Sequence, residues 1–263
     1  MDKVTVRMVG GLGNFMFQIS AAYAYACKYN KELVISNQNS FIVHRPLSSY
    51  SNNILKEIEI QQYISNLGDY HRYVEPSFAY KELPYIEGNV ILDGFFQSEK
   101  YFKDYEEEIK NLFNYTRTPI KGLAQTPEVS GKNTCSIHVR RGDFLHKQSH
   151  HPIQTLEYYL EAMSFFSKDT IFLISSDDHQ WCTKTFTPDK GSFLFVEPIN
   201  DYNDISIMSL CDNNIIANST FSWWGAWLNP SETKTVIAPK QWFGVGYAGT
   251  NTEDIYCPYW IKI

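Results

Sequence analysis

Apolar and β-branched residues alternate with polar ones over Lys3–Val9, the two-residue period of a strand with one buried face. The turn Gly10-Gly11-Leu12-Gly13-Asn14 follows. Phe15–Tyr29 is then rich in alanine and aromatic residues and apolar nearly all round, which predicts a buried helix. Leu33–Ser36 reads as a second strand, so the chain opens strand–turn–helix–strand, the first unit of a parallel α/β sheet. Ser40–Pro84 is less periodic and rich in Tyr, Asn and Ser, and it predicts no firm element. Asn89–Asp93 reads as a strand, and Ser98 as the cap of a helix over Glu99–Phe113. Residues 116–132 carry Thr, Pro, Gly and Lys without periodicity and read as a linker between domains at 1–115 and 133–263.

Beyond the linker the pattern starts again. Strands are predicted at Thr134–Arg140, Thr170–Ser175, Ser192–Glu197, Asn214–Ala217 and Lys234–Ala238. Helices are predicted at Thr155–Ser167, from Asp177 or Asp178 to Phe186, at Asp201–Cys211 and at Phe221–Leu228. Such alternation describes a doubly wound parallel sheet, whose ligands sit beyond the carboxyl ends of the strands. Two such units joined by a linker leave a cleft between them.

Composition narrows the class. Of 263 residues, 43% are hydrophobic and 20% charged, the values of a globular chain. The net charge of −6 argues against nucleic acid as a partner. No apolar run approaches the roughly 20 residues of a membrane span, and the N-terminus lacks the parts of a signal peptide. Five scattered cysteines, none at zinc-site spacing, fit a reduced, cytoplasmic chain. Most of the aromatic residues, 16% of the chain, are expected in the core.

Four segments carry candidate chemistry. His138-Val139-Arg140-Arg141-Gly142-Asp143 ends an apolar strand. Strand alternation sends His138 and Arg140 to one face and Val139 and Arg141 to the other. Guanidinium forks bind phosphate oxygens bidentately and keep their charge, and Asp143 can orient an arginine. The plainer reading is a surface ion pair at a strand end. Ser175-Ser176-Asp177-Asp178 ends the next strand: its hydroxyls and carboxylates suit a ribose or a base, or simply cap a helix. Asn218-Ser219-Thr220-Phe221-Ser222 brings small polar groups to a helix N-terminus, where backbone N–H groups attract anions. The tryptophans behind it, Trp223, Trp224 and Trp227, are expected in the core. Finally Gly11, Gly13 and Asn14 let backbone approach a ligand, although the spacing is not that of a dinucleotide fingerprint and no Walker lysine follows. No Asp-x-Asp pair, His-Glu-x-x-His or Gly-x-Ser-x-Gly occurs, so cationic side chains rather than a metal are expected to neutralise a diphosphate.

Taken in order, Gly10–Gln18, Gly94-Phe95-Phe96-Gln97-Ser98-Glu99-Lys100-Tyr101-Phe102, the arginine motif, Ser176-Asp177-Asp178 and Asn218–Leu228 resemble glycosyltransferase family 11, the α-1,2-fucosyltransferases. The resemblance spans nearly the whole chain, and five motifs in register make it specific. Phe15 departs from the pattern, in which glutamine often follows the Gly-Asn.

The resemblance implies a GT-B-like α/β fold of two facing Rossmann-like domains, with the acceptor on the first and the nucleotide sugar on the second. It implies inverting, metal-independent transfer of L-fucose from GDP-β-L-fucose to the 2-hydroxyl of a galactoside-terminated glycan or lipid-linked oligosaccharide, with no further cofactor. Carried over by motif, Arg140 and Arg141 hold the diphosphate with His138 and Asp143 in support. Asp177 faces guanine or ribose with Ser175 beside it, and Asn218, Ser219, Thr220, Phe221 and Ser222 line the nucleotide. Asp143 is the first candidate for a base on the acceptor hydroxyl, with Asp93 and Glu99 behind it. A transferase of another nucleotide sugar or acceptor, or a degenerate binding protein, would share these motifs.

Overall fold

The computed structural model describes residues 1–37, 40–43, 45–113, 129–197 and 200–263. Most of the expected linker, 116–128, lies outside them. The chain divides into two compact units: Met1–Tyr115 with Thr250–Cys257, and Thr116–Gly249 with Pro258–Ile263.

In the first unit the opening strand is broken at Arg7. β1 (Lys3–Val6) stays in the main sheet, and β2 (Met8–Gly10) turns away to pair in parallel with β5 (Ser40–Val43). At the break Arg7 N–H still reaches Leu92 O at 2.8 Å while its guanidinium turns to Asp93. Helix α1 (Leu12–Tyr29) buries Phe15, Met16, Phe17 and Ile19 completely, as an all-apolar helix must. It begins three residues before the expected start, because Asn14 N and Phe15 N both donate to Gly11 O at 3.0 Å. β3 (Glu32–Leu33) flanks β1, and β4 (Ile35–Ser36) pairs with β6 (Ile60–Gln61). β7 (Tyr70–Val74), inside the segment that predicted no firm element, joins β8 (Asn89–Asp93). The sheet runs β3-β1-β8-β7, parallel throughout.

The helix expected over Glu99–Phe113 is instead two 3₁₀ turns, Glu99–Tyr101 and Lys103–Tyr105, followed by α2 (Glu106–Leu112). Tyr101 and Phe102 are adjacent and both buried, and Phe102 leaves the helical region at φ −144°. The boundary expected at 133–263 also changes, since Thr250–Cys257 returns to the first unit. There Asp254 accepts from Tyr80 N at 2.8 Å and from Lys100 Nζ at 2.5 Å, and Ile255 is buried.

The second unit is one parallel sheet. Its elements are β9 (Thr134–Val139), α3 (Leu156–Met163), β10 (Ile171–Ser176), α4 (His179–Thr185), β11 (Ser192–Phe195), α5 (Asp201–Leu210), β12 (Asn213–Ile215), α6 (Thr220–Trp227), β13 (Val236–Ala238) and β14 (Ile261–Lys262). The strand order is β11-β10-β9-β12-β13-β14, so the chain moves outward from β9 in both directions. β14 was not expected from the sequence, since two residues leave no period to read.

The sheet buries both faces. Cys135, Ile137 and Val139 pack with Tyr158 and Tyr159 of α3 and Phe186 beyond α4. Leu173 packs with Ile207 and Cys211 on the α5 side. Trp223, Trp224 and Trp227 are buried, and Trp223 lies at 13° to Trp227 with centroids 6.0 Å apart, so they are core. Among the described residues no helix is long and apolar enough to cross a membrane.

Candidate functional site

The carboxyl end of β9 gathers the arginine motif with Ser175 and Asp177 of the next strand end. Arg140 is held between two carboxylates, Nη1 to Asp177 Oδ2 at 2.9 Å and Nη2 to Asp143 Oδ1 at 2.7 Å. Its Cζ lies 5.2 Å from the centre of the Phe144 ring. Asp177 also accepts from Arg141 N through Oδ1 at 2.8 Å, so one carboxylate fixes both the side chain and the loop. Gly142 is required beside it, because a Cβ there would lie 2.4 Å from Asp177 Oδ2.

Arg141 takes a different direction. Its Nε bonds Asp178 Oδ2 at 2.9 Å and its guanidinium lies 4.2 Å from the centre of Trp181 in α4. Asp178 also caps α4 through Trp181 N at 3.0 Å. The two guanidiniums therefore do not form one clamp. Arg140 is the central one, and Arg141 ties the loop to α4.

Asp143 is committed on both oxygens, to Arg140 and to Lys147 Nζ at 2.8 Å. Burial works to raise its pKa, but Lys147 and Arg140 outweigh it and hold the carboxyl below its ordinary value. Such a group is a poor proton acceptor at neutral pH, so its geometry is that of an orienting residue rather than a base. Asp93 is likewise occupied, by Arg7 and Arg72. Glu99 Oε2 receives the Cys257 thiol at 3.2 Å.

Three buried polar atoms beside Arg140 have no hydrogen-bond partner among the described residues: His138 Nδ1, Ser175 Oγ and Arg140 Nε. His138 and Ser175 are direct register partners on β9 and β10, and Arg140 lies two residues on from His138. Buried polar groups are normally satisfied, so this cluster is the least satisfied polar group beside the Arg140 ion pairs and is a candidate site. Burial, with the Arg140 charge adding to it, pushes the His138 pKa down to about 3, so the imidazole is neutral at physiological pH. Its ring lies 5.2 Å from Phe221 at the start of α6.

The remaining predicted residues of this unit support rather than face the site. Asn218 spends its whole amide on the protein: Nδ2 donates to Pro152 O and Trp242 O at 3.0 Å, and Oδ1 accepts from Gln154 at 3.0 Å. Ser219 Oγ accepts from Phe221 N at 3.4 Å as the cap of α6. Ser222, fully buried, turns its hydroxyl to Ala217 O and Ser219 O. Thr220 follows the cap as the first residue of α6.

One residue was missed. Asp204, in the first turn of α5, is largely buried, and its Oδ1 has no partner among the described residues. Burial, reinforced by Asp201, pushes its pKa up to about 7. α5 packs against α6 and β9, the elements that hold His138 and Phe221. The available signal was an acid with no nearby cation just ahead of the apolar run Ile205-Ser206-Ile207-Met208.

Gly11, Gly13 and Asn14 belong to the first unit. Gly11 caps α1 in extended conformation, and Gly13 is buried in the first turn. Asn14 Oδ1 accepts from Gln97 Nε2 at 3.1 Å. Gln18, fully buried, joins the same loop: Oε1 accepts from Val9 N at 3.1 Å and Nε2 donates to Gly94 O at 3.1 Å. Both glutamines sit within the motifs read from the sequence, but only the fold shows that they tie those motifs together.

The NodZ α-1,6-fucosyltransferase, a Bradyrhizobium protein solved after soaking with GDP-fucose, covers 87% of this chain and 93% of its own with a TM-score of 0.53 and 17% identity. The fold is α/β of the GT-B class. It belongs to glycosyltransferase family 11, whose sequence pattern matches residues 1–263. An α-1,2-colitosyltransferase of Escherichia coli is 29% identical over 92% of this chain and 93% of its own length. The O-antigen biosynthesis glycosyltransferase WbnK of the same species is 28% identical over 97% and 98%. The mouse galactoside 2-α-L-fucosyltransferase Sec1 is 24% identical over 98% of this chain and 73% of its own.

Proposed function

We propose that this chain transfers L-fucose from GDP-β-L-fucose to the 2-hydroxyl of a galactoside in a glycan, inverting the anomeric centre and needing no metal. The observation that carries the reading is Arg140, held by two carboxylates beside the unpartnered His138 Nδ1 and Ser175 Oγ. A guanidinium fixed in advance stabilises charge as it develops on a departing diphosphate, and its reorganisation cost is met in folding. Its five N–H donors leave some beyond the two ion pairs for phosphate oxygens.

In the reaction the bond from fucose C1 to the diphosphate oxygen breaks with its electron pair leaving on GDP. The acceptor oxygen forms the new bond from the opposite face, and its proton is released to solvent as the C–O bond forms. Arg140 serves the leaving group; Asp143 and Asp177 orient Arg140. Asp143 is not assigned the base.

A second donor is favoured by the colitosyltransferase likeness. Colitose is L-fucose without the 3-hydroxyl, so one site can be tuned to either sugar. The test is GDP release with GDP-fucose and GDP-colitose, each with lactose, N-acetyllactosamine or no acceptor. Galactoside-dependent release from GDP-fucose is expected. Preference for GDP-colitose replaces the sugar but keeps the site. Release with neither donor, and no GDP binding by calorimetry, overturns the reading.

A further inference from the structure

The carboxyl end of β8 in the first unit carries a turn that is held more firmly than its own residues favour. Phe96 sits in the left-handed region at φ +51°, rare for a bulky side chain, with its ring fully buried. Glu75, just past β7, reaches over to hold it. Glu75 Oε2 accepts from Phe95 N at 2.7 Å and from Phe96 N at 3.0 Å, and Oε1 accepts from Tyr101 Oη at 3.1 Å. Burial raises the Glu75 pKa, against these three hydrogen bonds. The Glu75 side chain is close enough that a Cβ on Gly94 would lie 2.4 Å from its Cβ and 2.6 Å from its Oε2. Gln18 takes Gly94 O from the other side, and Gln97 at the far end bonds Asn14.

The result of this clamp is Phe95. Its neighbour Phe96 is buried, while Phe95 itself is 41% exposed on a backbone whose N–H is fixed by a carboxylate. Strain and so many constraints are not needed to leave a phenylalanine in water. Around the turn stand planar polar groups: Asp93 with Arg7 and Arg72, and the Asn14–Gln97 amide pair. An exposed aromatic side chain on a backbone fixed by Glu75, in the same turn region as carboxylate, guanidinium and amide groups, matches the two sides of a pyranose, one of C–H bonds and one of hydroxyls.

We propose that Phe95, presented by the Glu75-clamped turn, is the stacking platform for a pyranose of the acceptor glycan. The proposal rests on the transferase reading above. The platform contributes to acceptor binding and leaves donor binding to the second unit.

The test compares wild type with F95A and F95W in steady-state transfer to lactose, with saturation-transfer NMR of lactose as a binding readout independent of turnover. F95A is expected to raise the acceptor KM about tenfold with kcat changed little, and to weaken the lactose NMR signal. F95W is expected to restore both, and calorimetric GDP affinity is expected to be unchanged in each. E75Q places an amide N–H₂ or a single oxygen against the two backbone N–H groups. It is expected to raise the acceptor KM in the same direction while leaving GDP affinity intact. An unchanged KM and NMR signal in F95A, with wild type active, overturns the platform. A wild type that transfers nothing to any galactoside overturns the transferase reading instead, and the two failures are distinct.

Discussion

The two units offer opposite kinds of site. At the end of β9, Arg140, Arg141 and Lys147 are interleaved with Asp143, Asp177 and Asp178, so charge is concentrated yet balanced and every cation is aimed. Beyond β2 and β8 in the first unit, the turn is tied by the amides of Gln18, Asn14 and Gln97 and by the Glu75 carboxylate, with Asp93 neutralised by Arg7 and Arg72 and an aromatic side chain left exposed. The first arrangement suits a ligand whose charge grows during reaction; the second suits a neutral, hydroxyl-rich one. A transferase needs both, because leaving group and nucleophile differ in this way.

The sharpest way to break the contrast is at Arg140. R140A is expected to lower turnover by about 10²–10³, the cost of losing one preorganised donor at the charged centre. R140K is expected to recover little of it, since a point charge cannot bridge Asp177, Asp143 and a phosphate at once. R141A is expected to lose less turnover and more thermal stability, because its guanidinium ties Asp178 to Trp181. Parallel steady-state assays and thermal melts of the three variants check this; equal losses in turnover would restore a two-arginine clamp.

Asp204 gives the next effect. Its pKa in the folded chain is raised to about 7, so the folded state holds a proton that the unfolded chain has released. That contribution to stability is lost as pH rises from about 4 through 7. D204N is expected to flatten this limb of the stability curve, which thermal melts from about pH 4 to pH 8 read.

His138 should show the opposite slope. Its folded pKa is depressed to about 3, so the unfolded chain binds the extra proton and stability falls as pH drops from about 6.5 towards 3. H138Q is expected to blunt that acid limb in thermal melts. In the first unit, Q18A is expected to cost about 1–3 kcal/mol of stability by removing the half-buried bonds to Val9 N and Gly94 O and emptying the buried Gln18 site, with GDP affinity unchanged. Smallest of all, S222A is expected to cost about 1 kcal/mol or less and to leave nucleotide binding alone, since the hydroxyl bonds only backbone carbonyls next to it.

Legibility followed the range of the interaction. The arginine motif was visible because strand, charge and turn are contiguous from Thr134 to Asp143. Strand alternation put Arg140 and Arg141 on opposite faces, yet the motif still assigned both to the diphosphate; their different directions, and the depth of Asp177 and Asp178 in the ion-pair network, depend on β10 lying next to β9. Asn218 was placed with the ligand because Asn-Ser-Thr at a helix start suits an anion. Its partners Pro152, Gln154 and Trp242 are distant in sequence, and they make it a staple. The broken helix after Ser98 was misread because its polar residues suit a helix, whereas the adjacent burial of Tyr101 and Phe102 is a tertiary fact. Asp204 was overlooked because an acid in a first helical turn is ordinary on the surface, and only burial makes it unusual.

The most direct test of the central claim is GDP release from GDP-fucose by the wild-type chain in the presence of EDTA, with and without lactose. Release that requires lactose and survives EDTA is the result expected of a cationic, galactoside-directed site. Release unaffected by lactose, or abolished by EDTA and restored by a divalent ion, would contradict it.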